Sequence, residues 1–167
     1  MKISGRVWKY GDDVNTDVIF PGKYTYTIRD PVEMAKHALE DLDPGFAESV
    51  QTGDVVVAGR NFGCGSSREQ AATCLKYAGV GAVVAVSFSR LFFRNAINQG
   101  LPAVVCPEAV SDVRQGDVME VDLAEGSVTT PTGSFRFPAP SGQVLAILGQ
   151  GGLIPFVRAR LGQETDS

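Results

Sequence analysis

The residues best equipped for chemistry in this chain of 167 residues follow a glycine loop: Asn61-Phe62-Gly63-Cys64-Gly65-Ser66-Ser67-Arg68-Glu69. Gly63 and Gly65 flank Cys64, so the backbone can turn tightly and present consecutive N–H groups. Ala71, Ala72, Leu75 and Ala78 follow at helical spacing, which places Ser66, Ser67 and Arg68 in the first turn of a helix. Free N–H donors, the positive end of the helix dipole and a guanidinium fork together suit a carboxylate or a phosphate. The pattern has a second reading. Ser66 with Glu69, and Ser67 with Gln70, are capping boxes in two registers, in which the hydroxyls only satisfy orphan N–H groups. A dinucleotide loop fits less well, because Arg68 stands where the third glycine belongs and no acidic residue ends the strand Ala82 to Val86. The Gly-Lys-Ser/Thr ending of a P-loop is missing too.

The elements that must hold this loop are legible on both sides of it. Asp54 to Gly59 is a β-branched apolar run bounded by turn residues, as expected of a strand covered on both faces. Ala82 to Val86 and Ala103 to Cys106 read likewise, and Ser87 to Asn98 between them is a helix with Phe88, Leu91, Phe92 and Ala96 on one face. Alternating strands and helices imply a parallel sheet with right-handed crossovers. Arg90, Arg94 and Asn95 lie on or beside this second helix, either as surface groups or as supports for the glycine loop. Ile3 to Trp8 alternates as an edge strand does, and Pro31 to Leu42 is an amphipathic helix with Asp30 as N-cap and Pro31 at its first position. His37, the only histidine, lies in that helix with no nucleophile or metal-ligand pattern around it, which makes it a surface or packing residue. Beyond Pro107, Asp117 to Leu123 alternates and Gly126, Pro131 and Gly133 punctuate short strands, so a small antiparallel section follows. Short helices over Gln143 to Leu148 and Leu153 to Arg160 close a single domain, residues 1–167, with 162–167 as a frayed tail.

Composition narrows the function classes. Apolar residues make up 44% and charged residues 20%, ordinary for a soluble domain. A net charge of -4 without clustered Lys and Arg argues against a nucleic-acid surface. No run approaches the length of a membrane span and no apolar signal core follows Met1, so a cytoplasmic protein is expected. Cys64, Cys74 and Cys106 are odd in number and lack Cys-x-x-Cys pairing, which supports neither a disulfide framework nor a metal site within this chain. Cys64 reads as a small buried thiol, with reactivity in the loop as the alternative.

Three blocks stand out along the chain: the glycine loop, Ser87-Phe88-Ser89-Arg90-Leu91-Phe92-Phe93-Arg94-Asn95-Ala96-Ile97-Asn98-Gln99-Gly100-Leu101-Pro102, and upstream Gly11-Asp12-Asp13-Val14-Asn15-Thr16-Asp17-Val18-Ile19-Phe20-Pro21. Together they resemble the small subunits of isopropylmalate dehydratase and homoaconitase, the equivalent of the swivelling C-terminal domain of aconitase. The resemblance implies an α/β swivelling domain with a central parallel βαβ sheet. It also implies a hydro-lyase that dehydrates and rehydrates a hydroxy acid, active only with a large subunit. By the same resemblance Ser66 is the base, acting as an alkoxide, and Asp17 belongs to the active-site network. Ser67 and Arg68 bind substrate oxygens, and Gly63, Cys64 and Gly65 form the anion loop.

Lys23-Tyr24-Thr25-Tyr26-Thr27-Ile28-Arg29 is the stretch expected to choose the substrate. In related small subunits an arginine there pairs with an extra carboxylate, whereas aliphatic residues accept an isopropyl group. Tyr26 stands at the choice and matches neither pattern, and Tyr24 and Arg29 are further substrate-binding candidates. Many relatives carry His where this chain has Gln70. The resemblance places an Fe4S4 cluster on the large-subunit partner and none on this chain. 3-Isopropylmalate dehydratase is the leading reading, with homoaconitase or 2,3-dimethylmalate dehydratase as alternatives. A noncatalytic small-anion-binding regulatory domain is the alternative of another class.

Overall fold

The computed structural model describes residues 1–165, with seven strands in one sheet of order β4-β3-β2-β1-β5-β6-β7. Strand β2 (Val55–Ala58) and β3 (Ala82–Ala85) are buried along their whole length, as their unbroken Val and Ala runs require. They pair in parallel, and β4 (Ala103–Val105) extends the sheet on the outer side of β3. The antiparallel section is β5 (Val118–Asp122), β6 (Ser127–Thr130) and β7 (Gly133–Arg136).

Strand β1 (Lys2–Lys9) joins the two halves. Lys2 to Arg6 pair antiparallel with Asp122 to Val118, and Val7 to Lys9 pair parallel with Val55 to Val57. The sequence reading of this segment as an edge strand is therefore corrected: it lies at the centre. Buried Asp54 fastens the junction by accepting hydrogen bonds from Trp8 Nε1 at 3.0 Å, Arg6 N at 3.0 Å and Gln51 N at 2.9 Å. Burial alone would raise its pKa, but these donors outweigh that and hold it below the usual carboxylate value.

Period-two alternation divides the core between the two faces of the sheet. Val56, Ala58, Val83 and Ala85 face one core with Phe20, Leu39, Phe46 and Phe92, together with the inward side of α4 (Glu69–Tyr77). Val55, Val57 and Val84 face the other, with Met119, Val121 and residues of α6 (Pro107–Asp112) and α7 (Gly142–Gly149).

Several expected boundaries move. The helix predicted over Pro31 to Leu42 is only α2 (Pro31–Ala35), although Asp30 does cap it by accepting from Val32 N. Lys36, His37 and Ala38 bond three residues back, and Leu39 turns to φ 56. Its side chain is fully buried and its N–H bonds Ile19 O at 2.8 Å, so tertiary packing overrides the helical pattern. The second helix is α5 (Arg90–Asn98), capped by Ser89, and Leu91 is exposed rather than on the inward face. Three short α-helices lie where none was expected, α1 (Thr16–Ile19), α3 (Phe46–Ser49) and α6, as does a 3-10 turn over Gly22–Tyr24. The last helix, α8 (Leu153–Thr165), continues through residues 162–165 of the expected frayed tail, while Asp166 and Ser167 lie outside the described residues. Among the described residues no single helix is long and apolar enough to cross a membrane.

Candidate functional site

The three sequence blocks converge at the C-terminal ends of the parallel strands. The loop after β2 is clamped between the segment before α1 and the segment after β3. On one side Gly59 N bonds Gly11 O at 3.0 Å, Asp13 N bonds Arg60 O at 2.8 Å and Gly63 N bonds Val14 O at 2.7 Å. On the other, Phe62 N bonds Ser87 O at 3.1 Å and Ser89 N bonds Phe62 O at 2.9 Å. Ser89 Oγ also donates to Gly63 O at 2.8 Å, so one serine both caps α5 and holds the loop.

Gly63 and Gly65 have φ of 81° and 92°, the left-handed region that glycine alone adopts freely. A Cβ on Gly63 would lie 2.2 Å from Phe92 Cγ. The loop therefore passes directly over the buried Phe62 and Phe92 rings, which meet edge to face at 5.1 Å. This close approach fixes where Cys64 to Arg68 emerge.

Here the expected first helical turn is corrected. Helix α4 begins at Glu69, and Arg68 is its N-cap residue, in an extended conformation without a side-chain cap bond. Ser66 and Ser67 precede the helix, and neither capping box forms. Their hydroxyls are not consumed by backbone N–H groups: among the described residues Ser66 Oγ makes no hydrogen bond, and Ser67 Oγ accepts a 3.4 Å bond from Asn95 Nδ2. Both serines are exposed. Asn95 thus supports the loop, whereas Arg90 and Arg94 are exposed and make no ion pair among the described residues.

Asn15, Thr16 and Asp17 each hold a different part of the assembly. Asn15 Oδ1 caps α1 by accepting from Val18 N at 2.9 Å. Thr16 donates its N–H to Cys64 O at 2.9 Å and its hydroxyl to Ser66 O at 2.8 Å. Asp17 pairs with Arg68 Nη1 at 2.6 Å. Arg68 Nη1 also donates to Thr25 Oγ1 at 3.2 Å, which ties the expected selection stretch to the guanidinium. The remaining N–H groups of that fork have no partner among the described residues.

Beside this pair opens a cleft of about 440 Å³, lined among others by Arg29, Ser67, Arg68, Gln70, Thr73 and Gln99. Two arginines thus line one cavity, together with Pro31 and Met34. Of the residues expected to bind substrate, Arg29, Ser67 and Arg68 share it, and Asp17 reaches it through Arg68. Tyr24 does not line it. Its hydroxyl donates to Glu40 Oε1 at 3.2 Å and its ring lies 4.1 Å from that of His37, which itself contacts Glu40. Tyr26 is 89% exposed and also outside the lining.

Cys64 is half-buried in the loop rather than buried, while Cys74 and Cys106 are buried in different cores. Burial pushes both buried thiols above the ordinary value. Among the described residues no group of three or more His, Cys, Asp or Glu is placed to hold a metal, and the dispersed cysteines do not fit an iron–sulfur cluster on this chain. Thr16, Thr25, Ser89, Thr73 and Gln99 were not singled out from sequence. Thr16 lies inside the Asn-Thr-Asp block, but nothing in its spacing reveals a partner fifty residues away.

The aconitase C-terminal domain model matches residues 16–109, which contain the glycine loop, Asp17 and α5. Over nearly its full length the chain is similar to the 3-isopropylmalate dehydratase small subunits of Heliobacterium modesticaldum, at 47% identity over 98% of this chain and 99% of that protein, and Hydrogenobaculum sp., at 49% over 96% and 99%. That of Clostridium acetobutylicum is 54% identical over 83% of this chain and 85% of its own. A crystal structure of 3-isopropylmalate dehydratase from Methanocaldococcus jannaschii superposes with a TM-score of 0.91 at 42% identity, covering 100% of both chains. On this fold, these motifs and these relatives, the chain belongs to the aconitase C-terminal domain family, among the 3-isopropylmalate dehydratase small subunits.

Proposed function

We propose that this chain supplies half of a shared active site in 3-isopropylmalate dehydratase, a hydro-lyase that interconverts 2- and 3-isopropylmalate through an alkene as a step of leucine biosynthesis. The observation that carries this reading is the exposed Ser66 hydroxyl, without a hydrogen bond among the described residues, on a clamped loop two residues before an Arg68 fork that Asp17 already orients. Removing a weakly acidic C–H proton beside a carboxylate needs a strong base at a fixed position and a stabilised developing charge. Ser66 is assigned as that base, acting as an alkoxide. The N-terminus of α4 and Arg68 lower the cost of a negative oxygen there, since both place positive potential beside the loop.

Ser67 and Arg68 are assigned to substrate oxygens. Arg68 retains donors for a carboxylate while Nη1 stays on Asp17. Arg29, which also lines the cleft, is assigned to a second carboxylate. Departure of the hydroxyl falls to the large subunit, where the family resemblance places an Fe4S4 cluster whose Lewis acidity suits that task. The chain alone is accordingly inactive, and the complete enzyme is assigned to the cytoplasm.

A second reading, a homoaconitase-type substrate with one more carboxylate, is favoured by Arg29, which makes no ion pair among the described residues. Anaerobic co-expression with the large subunit, followed by alkene absorbance on 2-isopropylmalate, homoisocitrate and 2,3-dimethylmalate, separates the readings. Preference for 2-isopropylmalate is expected. Preference for homoisocitrate would transfer the assignment to the second reading, and no turnover by a cluster-loaded complex would return the chain to a noncatalytic anion-binding role.

A further inference from the structure

Thr16 has a role that its helical position does not explain. It stands at the start of the four-residue helix α1, is 2% exposed, and sends its hydroxyl across to the carbonyl of Ser66 at 2.8 Å. Its N–H simultaneously holds Cys64 O at 2.9 Å. Two carbonyls of the loop, on either side of Gly65, are therefore drawn towards one buried residue. Gly65, between them, is exposed and in the left-handed region.

We propose that Thr16 is a positioning residue for the Ser66–Ser67 peptide, and through it for the reacting serine; the inference rests on the base role assigned to Ser66 above. A trans peptide is planar, and its C=O and N–H point to opposite sides. With the Ser66 carbonyl turned inward to the buried Thr16 hydroxyl, the Ser67 N–H is turned outward. That N–H donates no hydrogen bond among the described residues, and Ser67 lines the cleft. It is left as a donor for the substrate oxygen that gains charge as the proton leaves. The same planar unit contains the Ser66 Cα, from which the hydroxymethyl group departs. Proton transfer requires hydrogen-bond reach, so a small rotation of this plane moves base and donor together.

The test compares variants that differ in the hydroxyl. Thr16→Val keeps the shape and removes the donor, whereas Thr16→Ser keeps the donor. In the anaerobic complex with the large subunit, Thr16→Val is expected to lose about 10²-fold in kcat, the order associated with a 1 Å misplacement, with a smaller change in KM. Thr16→Ser is expected to stay near the wild type. In the isolated chain, the residual dipolar coupling of the Ser67 N–H should change in Thr16→Val and persist in Thr16→Ser.

Wild-type kcat in Thr16→Val, equal losses in both variants, or an unchanged Ser67 coupling in Thr16→Val would each overturn the proposal. Should Thr16→Val fail to fold, Thr16→Ser against Thr16→Ala provides the same comparison, since those two side chains differ only in the hydroxyl. An inactive wild-type complex would refute the base role of Ser66, while the coupling measurement would still decide whether Thr16 sets the peptide plane.

Discussion

Replacing Gly63 or Gly65 by alanine separates backbone strain from collision in the loop that carries Ser66. Both glycines are left-handed, and that conformation costs an alanine about 1–2 kcal/mol. At Gly65 this is the whole expected penalty, because an added Cβ meets nothing nearer than Thr16 Oγ1 at 3.5 Å. At Gly63 the added Cβ would sit 2.2 Å from Phe92 Cγ and 2.3 Å from Phe92 Cβ. Because Phe92 Cβ is fixed to the α5 backbone, no rotamer change relieves the contact. The loop cannot withdraw cheaply either, since Gly63 is bonded through its N–H to Val14 and through its carbonyl to Ser89.

Forcing volume into a filled core costs about 1–3 kcal/mol beyond the strain. Gly63→Ala should therefore be less stable than Gly65→Ala by about 2 kcal/mol. With a urea m-value of about 2 kcal/mol/M, the two midpoints should differ by about 1 M. Urea unfolding of the isolated variants, followed by circular dichroism, measures this. Equal midpoints would refute the packing of the loop on Phe92, and a larger loss in Gly65→Ala would reverse the assignment.

Asp54→Asn removes the carboxylate that three N–H groups share and should cost about 3 kcal/mol. Because the folded pKa of Asp54 lies below the unfolded one, its contribution is present above the unfolded carboxylate value and disappears as pH falls through the folded value. A midpoint-against-pH curve should be flatter in acid for Asp54→Asn, and parallel curves would contradict this. Of the three thiols, Cys64 should react first with a disulfide reagent in the folded isolated chain, with Cys74 and Cys106 reacting only on unfolding. Rapid reaction of all three would show that the two cores are not closed over those cysteines.

Local sequence disclosed the parallel half of the sheet because β2 and β3, covered on both faces, read as unbroken apolar runs. It misplaced β1 because the pairing that makes this strand central comes from β5, near the other end of the chain, and leaves no local mark. Leu39 shows the same limit: its helical periodicity is real, but burial against Ile19 and Phe20 ends the helix early. For the candidate site, residue types and spacing single out the glycine loop, the serines, Arg68 and Asp17, and the fold brings these residues together. The capping boxes were legible too, and they fail because Arg68, itself extended, takes the N-cap while Thr16 and Asp17 hold Ser66 and Arg68 through contacts of their own. Thr16 and Thr25 could not be found this way, since each acts through a contact between distant segments. Tyr24 lies in the stretch expected to select the substrate, and its hydroxyl donates to Glu40.

Turnover by Ser66→Ala in the cluster-loaded complex with the large subunit tests the central claim most directly. Ser66 is exposed and among the described residues only its backbone carbonyl is bonded, so the substitution should leave folding and assembly intact. Loss of a positioned base predicts a fall in kcat of about 10²–10⁴-fold, with the two subunits still co-eluting. Wild-type turnover by the assembled Ser66→Ala enzyme would contradict the assignment of the base to this chain.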